Sequence, residues 1–158
     1  MIVVVMGVSG AGKTTVGRLL AERLGWRFID ADEHHPAANV AKMAAGIALE
    51  DADRWPWLDA LSHLLRAEKN AVLACSALKE SYRQQLLRDI EDARIVYLHG
   101  TKALIAARLA ERRHKFMPAS LLDSQFATLE PPAAAIGIDV SGEPQECVDA
   151  ILEALQRR

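Results

Sequence analysis

Excess charge, cysteine and long apolar runs are all scarce in this sequence, and each scarcity excludes a class of protein. The 158 residues include 19 basic and 21 acidic side chains, so the net charge of −2 gives no reason to expect binding to nucleic acid or to a membrane surface. The two cysteines, Cys75 and Cys147, form no CxxC pattern, which excludes a disulfide framework and a zinc site and is typical of a cytoplasmic protein. No apolar stretch approaches the roughly 18 residues of a membrane span, and no signal peptide is expected.

The remaining pattern is that of a single α/β domain over residues 1–158. The apolar, β-branched segment Met1–Met6 predicts a strand that is buried on both faces. Further strands are predicted at 26–29, 70–75, 94–98 and 136–140, and helices at 16–24, 82–88, 104–113, 119–129 and 145–155. Residues 36–67 are predicted to form helical pieces broken by Gly46 and Pro56. Strands that alternate with helices indicate a parallel sheet flanked by helices.

A phosphate-binding loop follows the first strand. Residues 7–14 read Gly-Val-Ser-Gly-Ala-Gly-Lys-Thr, which matches G-x-x-x-x-G-K-[ST] between a predicted strand and a predicted helix. Backbone N–H groups and the helix N-terminus favour phosphate oxygens, the lysine reaches the outer phosphates, and the Thr14 hydroxyl is a ligand for Mg²⁺. The predicted ATP-binding residues are Gly7, Ser9, Gly10, Ala11, Gly12, Lys13, Thr14 and Thr15.

Three kinds of P-loop protein remain open: GTPase switches, motors and small-molecule kinases. The sequence has no N-K-x-D motif for reading guanine, and it is short for a motor. Small kinases close an arginine-bearing lid over the phosphates. Arg108 and Arg112, beside Arg113 and Lys115, predict such a lid at about 108–123, with both arginines catalytic. The alternative for this cluster is a solvated basic helix face.

Acidic residues follow the second predicted strand. In strand geometry Asp30 and Asp32 point to the same side, at the carboxyl edge where open α/β sheets bind ligands. A kinase that acts on a hydroxyl needs a carboxylate to steer the proton, and Asp32 is the predicted base. Helix N-capping is the alternative for either residue.

At these residues the chain resembles the gluconokinases of the short P-loop type, over nearly its full length. The resemblance rests on the P-loop and on the following further segments: Asp30-Ala31-Asp32, His35-Pro36, Asn39, Lys42-Met43-Ala44, Asp51, Asp53-Arg54, Pro56-Trp57-Leu58, Cys75-Ser76-Ala77-Leu78-Lys79, Tyr82-Arg83, Phe116, Leu121-Leu122, Ser124-Gln125-Phe126 and Leu129-Glu130-Pro131. It implies phosphorylation of D-gluconate at the 6-hydroxyl by ATP and Mg²⁺, in a homodimer. Its fold would be a P-loop kinase with five parallel strands, in the order 2-3-1-4-5 of that class, and a helical lid.

The family's lid commonly reads R-x-x-H-F, whereas this chain has Lys115 where that histidine is expected. Positive charge is kept there, and no lid role is assigned to His114. Two alternative functions remain: a kinase for another small acid such as shikimate, and a non-catalytic nucleotide sensor.

The chemical groups of gluconate indicate which side chains its binding site should contain. Gluconate has one carboxylate, for which Arg54, Lys79 and Arg83 are the candidates, and several hydroxyls, for which Ser76 and His35 are candidates. The alternatives are an ion pair with Asp51 or Asp53 for Arg54, a solvated helix face for Lys79 and Arg83, and a surface loop for His35. Cys75 is expected to be a buried packing thiol, and residues 142–144 are expected to lie near adenine.

Overall fold

Five parallel strands form the centre of the molecule, in the order β2-β3-β1-β4-β5. The computed structural model describes residues 1–111 and 119–157. The strands are β1 (Ile2–Met6), β2 (Arg27–Asp30), β3 (Ala71–Ala74), β4 (Ala93–His99) and β5 (Ile136–Asp139). This order and this parallel pairing confirm the predicted sheet.

Helices connect the strands and cover both faces of the sheet. Those of the described residues are α1 (Lys13–Leu24), α2 (Ala37–Ala44), α3 (Asp51–Arg66), α4 (Glu80–Leu86), α5 (Lys102–Ala110), α6 (Ala119–Thr128) and α7 (Pro144–Gln156), with a short 3-10 helix at Ala31–His34. No helix among the described residues is long and apolar enough to cross a membrane.

The central strand β1 divides the hydrophobic core into two layers. Val3 and Val5 pack with α1 and α7 on one face, whereas Ile2, Val4 and Met6 pack with α3 and α4 on the other. Alternate residues of a strand point to opposite faces, and both faces here are apolar, which is why this strand has no polar position. The prediction that β1 is buried on both faces is confirmed, since all five of its residues are buried.

Pro56 does not break the helix in which it lies, so that prediction is wrong. The helix α3 runs continuously through Pro56. A proline has no N–H to donate to the carbonyl four residues earlier, here that of Ala52. Packing decides the outcome, because Trp57, Leu58 and Leu61 directly after the proline are buried in the core.

The residues after β2 also differ from the prediction. Asp30 ends the strand and caps the 3-10 helix, where its side chain accepts a hydrogen bond from the Asp32 N–H at 3.0 Å. Asp32 therefore lies in a helical turn, and strand geometry does not relate the two side chains. The alternative of N-capping is correct for Asp30.

Candidate active site

The P-loop lies between β1 and α1 and packs closely against α5. Gly10 has a positive φ of 86°, and a Cβ atom there would lie 2.8 Å from Cγ of Leu109. Glycine at this position therefore permits both the turn and the close approach of α5. Gly12, with φ of 96°, is the N-cap of α1, so the helix N-terminus faces the loop.

Lys13 is the first residue of α1, and its ammonium lies at the start of the loop. Its Nζ donates to the carbonyl of Val8 at 3.1 Å, and the N–H of Ala11 donates to the same oxygen, also at 3.1 Å. Thr14 and Thr15 follow on the exposed side of α1. The Thr14 hydroxyl is a hard oxygen donor beside a phosphate cradle, which fits Mg²⁺.

A glutamine from α6 binds this loop. Gln125 Oε1 accepts from the N–H of Ser9 at 2.7 Å, and Gln125 Nε2 donates to Ser9 Oγ at 3.1 Å. The two residues are 116 positions apart in the sequence. Sequence reasoning placed Gln125 in a family-specific segment without giving it a role.

A cleft opens between the P-loop, α5 and the loop after β5. It has a volume of about 530 Å³ and is lined by Arg108, by Glu111 and by residues 140–144 of the β5–α7 loop. Arg108 and residues 142–144 are thus placed at one cleft with the P-loop, as expected of a nucleotide site. Arg112, the second predicted lid arginine, lies outside the described residues, as do Arg113, His114, Lys115 and Phe116.

Asp32 and His35 lie together where β2 passes into the 3-10 helix. The Asp32 side chain is 74% exposed, and its Oδ1 is 4.0 Å from His35 Nε2. His35 stacks on Trp57 with ring centroids 4.1 Å apart, and Trp57 Nε1 donates to the carbonyl of Ala31 at 2.8 Å. These contacts hold the 3-10 helix against α3.

The tautomer of His35 follows from its neighbour Asn39. Asn39 Nδ2 lies 3.2 Å from His35 Nδ1 and 2.9 Å from the carbonyl oxygen of Asp53. An amide nitrogen only donates, so His35 Nδ1 accepts and its proton is on Nε2, toward Asp32. Burial lowers the pKa of His35 most strongly, Asp32 opposes this and Arg54 adds to it. The imidazole is therefore neutral near pH 7.

A charged cluster is formed by Asp51 and Arg54 on α3, by Tyr82 on α4 and by Lys79 just before α4. The Asp51 carboxylate accepts from the Tyr82 hydroxyl, from Lys79 Nζ at 3.4 Å, and lies 3.7 Å from Arg54 Nη1. The pKa of Asp51 is lowered, chiefly by Tyr82 and next by Lys79 and Arg54. Burial and then the hydrogen bond to Asp51 raise the pKa of Tyr82 to about 12. Arg54 and Lys79, both predicted to bind a carboxylate, are thus already close to one, and Arg54 has the ion pair that was its alternative.

Arg83 does not belong to this cluster. Its side chain is only 3% exposed, and its guanidinium donates to the carbonyls of Ala77 at 2.7 Å and Glu130 at 2.8 Å. Ala77 has a positive φ of 44°, so the arginine holds a strained turn in place. Its Nε and Nη2 also contact the Glu80 carboxylate, at 3.1 and 3.0 Å, so each of its three nitrogens already has an acceptor within the protein. For this reason we do not place Arg83 among the substrate ligands.

Two further residues of the β3–α4 loop were singled out in the sequence. Ser76 is half-buried directly after β3, at the carboxyl edge of the sheet. Burial raises the pKa of the Cys75 thiol to about 12, so it is protonated near pH 7 and packs in the core, as expected.

Asp51, Tyr82, Asn39 and Gln125 are the site residues that sequence reasoning missed. Each has a partner 14 to 116 residues away in the chain, so no local motif reveals these contacts. In the sequence, these residues were indicated only because they lie in the segments on which the family resemblance rests.

Known proteins similar to this chain are P-loop kinases. The shikimate kinase family model matches residues 9–156. The chain is 52% identical to the gluconokinase of Gluconobacter oxydans (strain 621H), over 98% of this chain and 88% of that protein. It is 38% identical to the thermosensitive gluconokinase of Escherichia coli (strain K12), over 98% and 89% of the two chains.

Solved structures similar to this chain also include those of kinases. The crystal structure of a gluconokinase from Sinorhizobium meliloti 1021 has a TM-score of 0.92 and 43% identity, covering 98% of this chain and 91% of that one. Shikimate kinase from Aquifex aeolicus has a TM-score of 0.64 at 20% identity over 99% and 96% of the chains, a likeness of fold.

Proposed function

Because the chain belongs to the gluconokinase family, we propose that it transfers the γ-phosphoryl group of ATP to the 6-hydroxyl of D-gluconate, giving 6-phospho-D-gluconate. It is a phosphotransferase with an alcohol acceptor. One observation carries the proposal. A P-loop, the exposed carboxylate of Asp32 and the charged cluster with Arg54 and Lys79 all lie at the carboxyl edge of the sheet.

The nucleotide binds along the P-loop and in the adjoining cleft. Residues 7–15 hold the phosphates through Lys13 and through backbone N–H groups other than those of Ser9 and Ala11, which are bonded within the protein. Residues 142–144 line the same cleft and are proposed to lie beside the base. Arg108, which lines the same cleft, offsets charge on the phosphates, and Arg112 is proposed for the same task. The Thr14 hydroxyl would hold Mg²⁺, which neutralises phosphate charge when bound.

Gluconate binds by its carboxylate to Arg54 and Lys79 of the charged cluster. Arg54 and Lys79 carry two positive charges against the one negative charge of Asp51, so one positive charge is left for one carboxylate. Ser76 and His35 are proposed to bind the hydroxyl groups. The neutral His35 directs its Nε2–H toward Asp32. Its side chain is 3% exposed, so the substrate group proposed for this N–H is the hydroxyl that Asp32 binds.

Asp32 orients the attacking hydroxyl group and accepts its proton. Its carboxylate is exposed, and the imidazole beside it is uncharged, so no cation pairs with it at close range within the described residues. In-line attack of that hydroxyl on the γ-phosphorus then needs positioning and charge stabilisation more than covalent help from the protein.

The assembly and location of the enzyme are proposals of the same kind. We propose a homodimer, as the family resemblance implies, and a cytoplasmic enzyme. The single 1–158 domain is expected to contain all catalytic groups. Light scattering during size-exclusion chromatography measures the assembly directly, and a monomeric mass at micromolar concentration would overturn the dimer.

The experiment that tests the function is a coupled ADP-release assay with MgATP and a panel of sugar acids that includes D-gluconate and shikimate. We expect turnover that depends on gluconate and exceeds that on shikimate. Faster turnover of shikimate would overturn the substrate, and no turnover with any acid would favour a nucleotide sensor.

A further inference from the structure

The contact between Gln125 and Ser9 is built into the P-loop from a distant part of the chain. A backbone N–H can only donate, so the atom that faces the Ser9 N–H is the Gln125 carbonyl oxygen. The amide NH2 group then faces Ser9 Oγ, as the 3.1 Å distance records. The orientation of the glutamine amide is therefore determined by the loop itself.

These hydrogen bonds hold one peptide group, that between Val8 and Ser9. Its N–H is bonded to Gln125, whereas its carbonyl oxygen accepts from the Lys13 ammonium and from the Ala11 N–H. A rotation of this peptide would break the bonds at both ends together. The peptide that Gln125 holds thus contains one acceptor of the P-loop lysine, which reaches the outer phosphates.

The Ser9 hydroxyl is oriented by the same contact. Its oxygen accepts from Gln125, so its single proton is left for another acceptor. Ser9 is half-exposed, whereas its neighbours Val8 and Gly10 are buried. This donor is on the residue directly after Val8, whose carbonyl accepts from the Lys13 ammonium, and it is suited to an oxygen of the terminal phosphate.

The chain directly after α6 is attached to the β3–α4 region. Five residues after Gln125, Glu130 makes three hydrogen bonds there: its N–H donates to the Leu78 carbonyl at 2.8 Å, its carbonyl accepts from Arg83, and its carboxylate accepts from the Glu80 N–H at 2.9 Å. The α6 segment is therefore attached at the P-loop and at the loop that contains Lys79. Such attachment at two points preorganises a side chain.

We infer that Gln125 is a positioning residue for the terminal phosphate of ATP: it holds the Val8–Ser9 peptide and turns the Ser9 hydroxyl into a donor toward the γ-phosphoryl group. The inference rests on the proposed kinase function for its effect on rate. Its effect on nucleotide binding is independent of the acceptor substrate. ADP has no γ-phosphate, so the residue distinguishes ATP from ADP.

The test compares the dissociation constants of ADP and of an ATP analogue with a non-cleavable β–γ bridge, by titration calorimetry with Mg²⁺. The variants are Gln125→Met, Ser9→Ala and their combination, with Gln84→Met on the exposed face of α4 as the matched control. Hydrogen bonds to charged groups support an expected loss for Gln125→Met of about 10-fold in affinity for the analogue, with ADP affinity changed less than about 3-fold. Ser9→Ala should show a smaller loss of the same selective kind, and the double variant less than the product of the two.

Equal weakening of both nucleotides, or no change in either, would overturn the inference. Gln125→Glu would place a negative charge beside the phosphates and is not used. Ser9→Ala removes only the hydroxyl, so its selective loss of affinity for the analogue, or the absence of that loss, decides the inference where the methionine variant does not fold. Gluconate turnover by the unmodified chain, measured alongside, separates the two proposals. Its absence would refute the kinase reaction, whereas a non-selective binding loss would refute the role of Gln125 alone.

Discussion

Asp32 differs from the other acidic residues of the site in what surrounds its carboxylate. Asp30 accepts from a backbone N–H, Asp51 is bonded to Tyr82 and Lys79, and Asp53 is bonded to Lys42 at 2.8 Å. Those three carboxylates are engaged in holding the fold, whereas that of Asp32 is 74% exposed. The proposed catalytic role thus belongs to Asp32, whereas the structural roles belong to the other three aspartates.

Replacement of Asp32 by asparagine should lower kcat by about 100-fold or more, because general-base catalysis contributes a factor of that order. The affinity for the ATP analogue should stay unchanged, since the contacts of Asp32 within the described residues are with Asp30 and His35 and not with the P-loop. Steady-state kinetics with gluconate measure the first quantity. Glu33→Gln, at the exposed neighbouring position, is the control and should keep full activity. An Asp32→Asn enzyme with undiminished kcat would remove Asp32 from the reaction.

The buried imidazole of His35 predicts a pH dependence of stability. Its folded-state pKa is lowered, mainly by burial. Below about pH 6.5 the unfolded chain gains a proton that the folded chain does not, so the free energy of unfolding should fall as the pH falls. Above that pH both states are neutral and the effect is absent. Protonation would also place an N–H against the Asn39 amide.

Urea unfolding between pH 5 and 8 measures this slope. His35→Gln should lose this component of the slope, whereas His34→Gln, at an exposed position, should keep it. Identical pH profiles for the wild type and His35→Gln would show that the imidazole is protonated equally in both states.

At the scale of elements, α3 shows how packing overrides a local signal. Pro56 is exposed on the outer side of the helix, while the next two residues, Trp57 and Leu58, are buried. The missing hydrogen bond costs little beside the burial of these side chains, each worth about 1.5–3 kcal/mol. The helix therefore continues through a residue that usually ends one.

Replacement of Pro56 by alanine should raise the free energy of unfolding by about 1–2 kcal/mol, since it restores one helical hydrogen bond and loses only a smaller entropic benefit of proline. Ala60→Pro, four residues later on the same exposed face, should lower that free energy by about 3 kcal/mol. Both changes are measured by urea unfolding. A destabilised Pro56→Ala protein would mean that the proline is itself favourable in this helix.

At the scale of the whole molecule, the loops proposed to bind the two substrates all leave the same edge of the sheet. The loops after β1, β2, β3 and β5 all start from the carboxyl ends of parallel strands. Two core layers share β1, so the nucleotide loop is anchored in both. Unfolding of the sheet and loss of the nucleotide site should therefore occur together.

The ATP analogue with Mg²⁺ should raise the midpoint of thermal unfolding, and at 100 times its dissociation constant should add about 2.7 kcal/mol to stability. Scanning calorimetry over a range of analogue concentrations measures the shift. Lys13→Ala should reduce it strongly, because the ammonium no longer meets the phosphates, whereas Arg23→Ala, on the last turn of α1, should leave it intact. A shift that is independent of Lys13 would place the nucleotide elsewhere.

The sequence by itself determined the class of fold and the P-loop, and it placed Ser76 and Lys79 after the carboxyl end of a buried strand. These features depend on local patterns: a β-branched apolar run, a glycine-rich turn before a helix, and polar residues directly after strands. The residues involved are neighbours in the chain, so their spacing contains the information.

Only the tertiary structure decided which of these side chains are available for chemistry and which hold the fold. Arg83 was predicted to contact substrate and is a buried brace, while Gln125 contacts Ser9 across 116 residues. Burial and long-range hydrogen bonds depend on how distant segments pack, and a solvated arginine and a buried one have the same letter in the sequence. The physical reason is that the cost of burying a polar group is met by partners that the fold alone brings together.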